Sequence, residues 1–172
     1  LLDDCICNEK KLVQPKKIIK DLITEKSRQN NLVKNSICTY TCEFYPLSSK
    51  RKPNWPEIYS CNLNLALDNA LAEIEKFKYF PEDDAPFPGM LELVLKKLSE
   101  EVSEEQNTYV LIIGNRPANP NKDQGTLMGV KEDWKKYFDS LKQKRARMGV
   151  LRDGEEIKRE EWKTYHEMFW GH

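Results

Sequence analysis

The sequence has little of several features that would assign a function directly. Its longest apolar run, near Val110 to Ile113, is far too short to span a bilayer, and no segment resembles a signal peptide. Lysine plus arginine and aspartate plus glutamate both number 28, so no global field favours nucleic acid or acidic membrane. With two histidines, no Gly-X-Ser-X-Gly motif and no glycine-rich phosphate loop, the usual nucleophile and phosphate-binding machinery is missing. We therefore expect a protein that is not an enzyme and does not bind membrane.

The five cysteines do not resemble a secreted disulfide framework. They are Cys5, Cys7, Cys38, Cys42 and Cys61. An odd count, with pairs spaced by one and three residues on predicted strands, favours reduced thiols. The absence of any Asn-X-Ser/Thr acceptor agrees with this. We expect an intracellular protein of the nucleus or cytoplasm, in which Cys38 and Cys42 are small core residues.

The 172 residues suit one domain with a single core, and we expect it to span 1–172. Apolar periodicity predicts strands at the start, at 36–45, at 108–113 and at 150–151, with a short edge strand at 57–59, and helices at 14–28, from Asn62 to Phe77, at 90–102, from Trp134 to Gly149 and at the end. This alternation predicts an α/β fold: a doubly wound, mostly parallel sheet with helices on both faces. Because the chain opens inside a predicted strand, we expect further residues before Leu1 in the full-length protein.

Three segments fall where open α/β sheets place ligands. They are Asp3-Asp4-Cys5-Ile6-Cys7 after the first strand, Ser60-Cys61-Asn62-Leu63 before a helix, and Ile113-Gly114-Asn115 after the central strand. Together with the order of elements, they resemble the von Willebrand factor A family, whose domains bind a divalent cation and an acidic partner group at a metal-ion-dependent adhesion site. The resemblance implies a Rossmann-like sheet and a partner-binding face at its carboxyl edge.

The chain departs from the family at the positions of the metal ligands. The family's first motif is Asp-X-Ser-X-Ser, and here Cys5 and Cys7 replace both serines. Cys61 stands at the family's threonine, and Gly114 stands where its final aspartate would be. Magnesium and calcium require oxygen ligands, usually including more than one carboxylate or hydroxyl. The resemblance therefore implies a degenerate site in which cation binding is lost, and we expect no metal and no cofactor.

Other uses of the same segments stay open. Cys5, Cys7 and Cys61 could converge as soft ligands for zinc or copper. The pair Asp3-Asp4 also resembles the acidic pair of response-regulator receiver domains, which would make this a metal-dependent phosphate-handling or hydrolytic domain. No phosphoacceptor aspartate ends a later strand, which weighs against that alternative.

Basic and aromatic clusters mark the last third of the chain. The segment from Lys142 to Arg147 could bind phosphate or acidic protein, so a nucleic-acid-associated domain is a further alternative. In the terminal helix, Trp162, Tyr165, Phe169 and Trp170 form the best partner-binding feature, because aromatic anchors dominate protein interfaces. Trp170, beside Gly171, is the aromatic least easily buried.

The sequence thus predicts a non-catalytic protein–protein interaction module, a scaffold domain of a larger intracellular protein or complex. Its partner-binding residues are predicted to be Asp3, Asp4, Asn62, Asn115, Arg116 and Trp170.

Overall fold

The computed structural model describes residues 2–3, 9–30, 32–40, 59–77, 90–114, 117–118, 133–151 and 167–171. Within these ranges the helices are α1 (Glu9–Gln29), α2 (Leu67–Glu75), α3 (Leu91–Glu101) and α4 (Trp134–Gln143). The strands are β1 (Leu2–Asp3), β2 (Asn35–Tyr40), β3 (Tyr59–Leu65), β4 (Tyr109–Ile113) and β5 (Arg147–Leu151). Residues 167–170 form a last helical turn, the terminal turn. No helix in the described part of the chain is long and apolar enough to cross a membrane.

Hydrogen bonds connect the described strands in the order β3-β2-β1-β4-β5. Strands β2 and β3 are antiparallel, with Cys38 opposite Cys61, whereas β4 and β5 are parallel, from Tyr109 opposite Arg147 onward. Only β1 lies between these two pairs, and it has two residues: Leu2 pairs with Thr39 and Ile113, and Asp3 pairs with Tyr40.

The prediction of a doubly wound, mostly parallel sheet is wrong. Apart from the short contacts of β1, the described chain contains two strand pairs: β2 and β3 are antiparallel, and β4 and β5 are parallel. The opening segment, predicted to be a buried strand, contributes two described strand residues. Alternating apolar residues indicate where a strand lies, but they encode neither its direction nor its neighbour. The structure shows a small α/β unit.

Two apolar clusters lie on opposite sides of the strands. Cys38 and Tyr40 join α3, α4 and the terminal turn in the first cluster, while Ile37 joins α1 and α2 in the second. Strand β4 divides in the same way, because Ile112 belongs to the first cluster and Ile113 to the second. Successive strand residues point to opposite faces, which explains the division. Both clusters therefore depend on the same two strands.

The predicted boundaries of individual helices and strands agree with the structure to different degrees. The prediction of α3 and β4 is confirmed to within one residue at each end. Helix α1 begins at Glu9, so Pro15 lies inside the helix and not in its first turn. The segment from Asn62 to Leu65, predicted as the start of a helix, is strand β3. Leucines and asparagines alternate there, and pairing with β2 determines the extended conformation.

Candidate functional site

The residues predicted to form a partner-binding face at the sheet edge are not brought together in the described chain. Asp4, Asn115 and Arg116 lie outside the described residues. Asp3 is opposite Tyr40, whereas Asn62 is opposite Ile37 on the other side of β2. A rise of 3.3 Å per residue and a spacing of 4.8 Å between strands place Asp3 and Asn62 on the order of 10 Å apart both along and across the sheet.

Asn62 has a structural contact instead. Its exposed side chain donates a hydrogen bond from Nδ2 to Glu73 Oε2 over 3.1 Å, which connects β3 to α2. The prediction that a helix begins at Asn62 is wrong, because Asn62 lies within strand β3. Its amide holds the following helix against the sheet.

The alternative of a zinc or copper site is not supported by the described residues. Cys5 and Cys7 lie outside them, and the part of the chain that is described contains no group of three or more histidine, cysteine, aspartate or glutamate side chains that could hold a metal ion. Cys61 instead lies opposite Cys38, a partner that the sequence did not indicate, because Cys61 was predicted to lie immediately before a helix.

Cys38 and Cys61 form a pair of free thiols on the antiparallel ladder. They occupy directly opposite positions on β2 and β3, with Cys38 buried and Cys61 half-buried. The S–H···S hydrogen bond with Cys61 lowers the pKa of Cys38, against the effect of burial. The same bond, together with burial, raises the pKa of Cys61, while the positive charge of Lys97 on α3 acts weakly in the other direction. After one of the two thiol protons has been lost, removal of the second is therefore unfavourable.

Helix α4 is amphipathic, with a buried apolar side and an exposed basic side. Asp133 caps the helix by accepting a hydrogen bond from the backbone N–H of Lys135 at 3.0 Å. Trp134 and Leu141, two turns apart, are buried against the first cluster. The opposite side of the helix is exposed and carries lysines. This amphipathic pattern is what makes the segment a surface helix.

The carboxyl end of α4 differs from the predicted end at Gly149, which lies in β5. The backbone N–H of Arg145 donates to the carbonyl of Lys142, and that of Ala146 donates to the carbonyl of Leu141. These two bonds form a Schellman motif, in which the residue after the helix adopts a left-handed conformation. Arg145 has a φ of 62° there, at a position that usually holds glycine.

Aromatic rings connect the core to the surface at the beginning of α4. Phe169 of the terminal turn contacts Trp134 edge to face, with ring centroids 4.5 Å apart, and the half-buried Trp170 contacts Phe169 at 4.7 Å. Met168 beside them is 46% exposed. Trp162 and Tyr165, predicted in the same helix, lie outside the described residues. Trp170 is thus held by a buried ring while part of its own surface faces solvent.

Lysines border the half-buried rings of α4. Lys136 Nζ lies 5.9 Å from the ring centroid of Tyr137, and Lys142 Nζ lies 4.8 Å from that of Phe138. Residues 133–147 contain six lysines and arginines and two aspartates, a net charge of +4 in a chain whose total is zero. We call Lys135, Lys136, Tyr137, Phe138, Lys142, Arg145 and Trp170 the α4 surface.

Two of the cations that favoured nucleic acid have contacts within the fold. Lys144 Nζ donates to the carbonyl oxygen of Ser99 on α3 at 2.5 Å. Arg147 Nη1 donates to the hydroxyl of Tyr109 at 3.0 Å, and its guanidinium lies 5.3 Å from the centroid of that ring. Both arginines of the segment are exposed, but Arg147 is held by these contacts, and among the described residues Arg145 alone of the two has no such contact, a sparse arrangement for phosphates.

The chain matches no family model, no curated protein and no solved structure. The resemblance to von Willebrand factor A domains therefore depends on the sequence motifs alone.

Proposed function

We propose that the protein is a non-catalytic interaction module that binds an acidic protein segment on the α4 surface. The observation that carries the proposal is charge segregation: residues 133–147 have a net charge of +4, and the remaining residues together have −4. A local excess of one sign on a neutral protein selects partners of the opposite sign and orients them on approach.

The aromatic groups supply the apolar part of such an interface. Trp170 is already ordered by its contact with Phe169, so binding would cost little additional side-chain entropy. Tyr137 and Phe138 are half-buried beneath Lys136 and Lys142, which places flat apolar area next to positive charge. A partner with an apolar anchor between carboxylates complements this surface better than one with phosphates alone.

The proposal can be tested with a labelled peptide of aspartates and glutamates around one Leu-Trp anchor, followed by fluorescence anisotropy. The double variant Lys136→Glu, Lys142→Glu should weaken binding by about tenfold, since exposed ion pairs contribute modestly and reversal replaces attraction by repulsion. The matched control is Lys17→Glu, Lys34→Glu, which reverses two exposed lysines away from α4 and should leave affinity unchanged.

A second arm measures double-stranded DNA under the same salt conditions. The proposal requires that the peptide binds more tightly than DNA and that Trp170→Ala weakens the peptide more than the DNA. Equal loss of peptide affinity in the α4 variant and its control would contradict the proposed surface. Tighter binding of DNA, with a steep fall as salt rises, would favour the nucleic-acid alternative.

A further inference from the structure

The thiols of Cys38 and Cys61 occupy a position at which a disulfide can form. Opposite residues on antiparallel strands have Cα atoms about 4.5 or 5.5 Å apart, and disulfides join Cα atoms about 4.4–6.8 Å apart. The two residues are register partners, and both belong to the first cluster, so they lie on one face of the ladder. A bond between them requires adjustment of side chains but no exchange of strands.

We propose that Cys38 and Cys61 form a reversible cross-strand disulfide that acts as a redox-sensitive link between β2 and β3. Intracellular disulfides are typically transient and redox-sensing, which fits a pair that is free in this structure. The Cβ atoms of opposite strand residues are about 4.5–5.5 Å apart, at or beyond the usual span of a disulfide. The resulting strain makes the bond easier to reduce than a structural disulfide.

The difference in burial gives the two thiols separate roles. Cys38 is 1% exposed and cannot be reached by an oxidant, whereas Cys61 is half-buried. With a small-molecule disulfide as the oxidant, the Cys61 thiolate attacks one sulfur and displaces one thiol, which takes up the proton that Cys61 released. Cys38 then attacks the Cys61 sulfur and displaces the second thiol, which takes up the proton of Cys38. The two cysteines lose two electrons and two protons, and the oxidant becomes two thiols.

The protein itself supplies elements that support this sequence. The two cysteines lie directly opposite each other on neighbouring strands before oxidation, so the second step joins residues that are already adjacent. The raised pKa of Cys61 opposes the first step near neutral pH, because it makes the attacking thiolate scarce, and this step should therefore accelerate as the pH increases. The adjacent pair Thr39 and Ser60 is joined by a 2.9 Å hydrogen bond between hydroxyls, which helps to hold the register.

The test uses the folded full chain in a buffer of oxidised and reduced glutathione, followed by alkylation of free thiols and tryptic mapping without reduction. Cleavage after Lys34 and Lys50 releases Cys38 and Cys42 in one peptide, and Cys61 falls in a peptide that ends at Lys76. Oxidation should remove two of the five alkylatable thiols and link these two peptides. Added reductant should restore all five thiols.

Two variants identify the bond. Cys42→Ala should retain the link. Cys38 is then the only cysteine in its peptide, so a retained link must involve Cys38. Cys38→Ser should lose the link in that background and accumulate glutathione on Cys61. Loss of the link in Cys42→Ala would overturn the proposal, and so would a stable glutathione adduct on Cys61 while Cys38 is present. These outcomes are independent of whether the α4 surface binds an acidic segment.

Discussion

Arg145 has a strained backbone conformation that no packing contact of its side chain explains. It adopts a φ of 62° immediately after α4, where an L side chain is strained and glycine is not. Its side chain is exposed and none of the described contacts explains an arginine at this position. A strained residue without a packing role is a reasonable candidate for a functional one.

We predict that Arg145→Gly increases the free energy of unfolding by about 0.5–1 kcal/mol, because glycine removes the strain and the entropy of its unfolded chain offsets only part of the gain. The same variant should weaken the acidic peptide. Chemical denaturation and anisotropy measure the two effects. Arg145→Lys keeps both charge and strain and should change neither. A variant that is more stable but binds with unchanged affinity would remove Arg145 from the α4 surface.

At the scale of single residues, the sequence indicates the chemical character of a side chain better than the contacts that it makes in the fold. Trp170 is half-buried whereas Phe169 is buried, which agrees with the predicted order for these two rings, while Trp162 and Tyr165 lie outside the described residues. The pairing of Cys38 with Cys61 was not predicted, because it depends on the register of two strands separated by a long connection. Similarly, no local pattern indicates that Glu92 in the first turn of α3 is fully buried.

Among the elements, α1 and α2 are joined by a cation network as well as by apolar packing. Lys20 forms an ion pair with the Glu75 carboxylate, and Lys16 Nζ donates to the Glu75 carbonyl oxygen at 3.2 Å. The hydrogen bond and the charge of Lys20 lower the pKa of Glu75. A carboxyl with a lowered pKa in the folded state stabilises that state at pH values above its ordinary pKa.

We predict that this contribution is lost as the pH falls below the ordinary pKa of a glutamate, about 4.3, and through the lowered folded pKa of Glu75. Urea denaturation at a series of pH values should show a smaller pH dependence for Glu75→Gln than for the wild type. Because the pair is exposed, the difference should also shrink at high salt. Lys20→Met removes the ion-pair partner of Glu75 and should reduce the pH dependence in the same way as Glu75→Gln. Identical profiles for Glu75→Gln and wild type would contradict the assignment.

The elements that the sequence predicts well are those with one dominant period. Helix α3 has apolar residues at helical spacing, and β4 has continuous β-branched and aliphatic residues, and both were predicted within a residue. The predicted boundary between β3 and α2 was wrong because the leucine pattern is ambiguous. Leu63 and Leu65 have the spacing of a strand, whereas Leu63 and Leu67 have the spacing of a helix. The end of α4 was missed because Arg145 occupies the position at which glycine usually marks the stop.

For the whole molecule, the sheet connects two clusters that have few elements in common. Ile112 and Ile113 are adjacent in β4, yet the first belongs to the cluster of α3 and α4 and the second to that of α1 and α2. The sequence predicted alternation of strands and helices, which defines an α/β unit. It did not predict that β3 pairs antiparallel or that β1 is two residues long, since topology depends on distant pairing energies.

Because the two clusters share strands, they should unfold together, and a substitution in one cluster should also lower the unfolding midpoint of the other. Ile74→Val, in the second cluster, should lower the free energy of unfolding by about 0.5–1.5 kcal/mol. In a Trp55→Phe, Trp162→Phe background, tryptophan fluorescence reports Trp134 and Trp170 of the first cluster. The fluorescence midpoint in urea should therefore shift as far as the far-ultraviolet circular dichroism midpoint.

Ile112→Val is the matched control, because Ile112 lies in the same cluster as the reporter tryptophans. Both variants should move the two midpoints together, since residues on both faces of β4 are fixed by one set of backbone hydrogen bonds to β5. If Ile74→Val shifted the dichroism and left the fluorescence midpoint unchanged, the second cluster would unfold on its own. The two-residue strand β1 would then be too weak a connection to make the sheet cooperative.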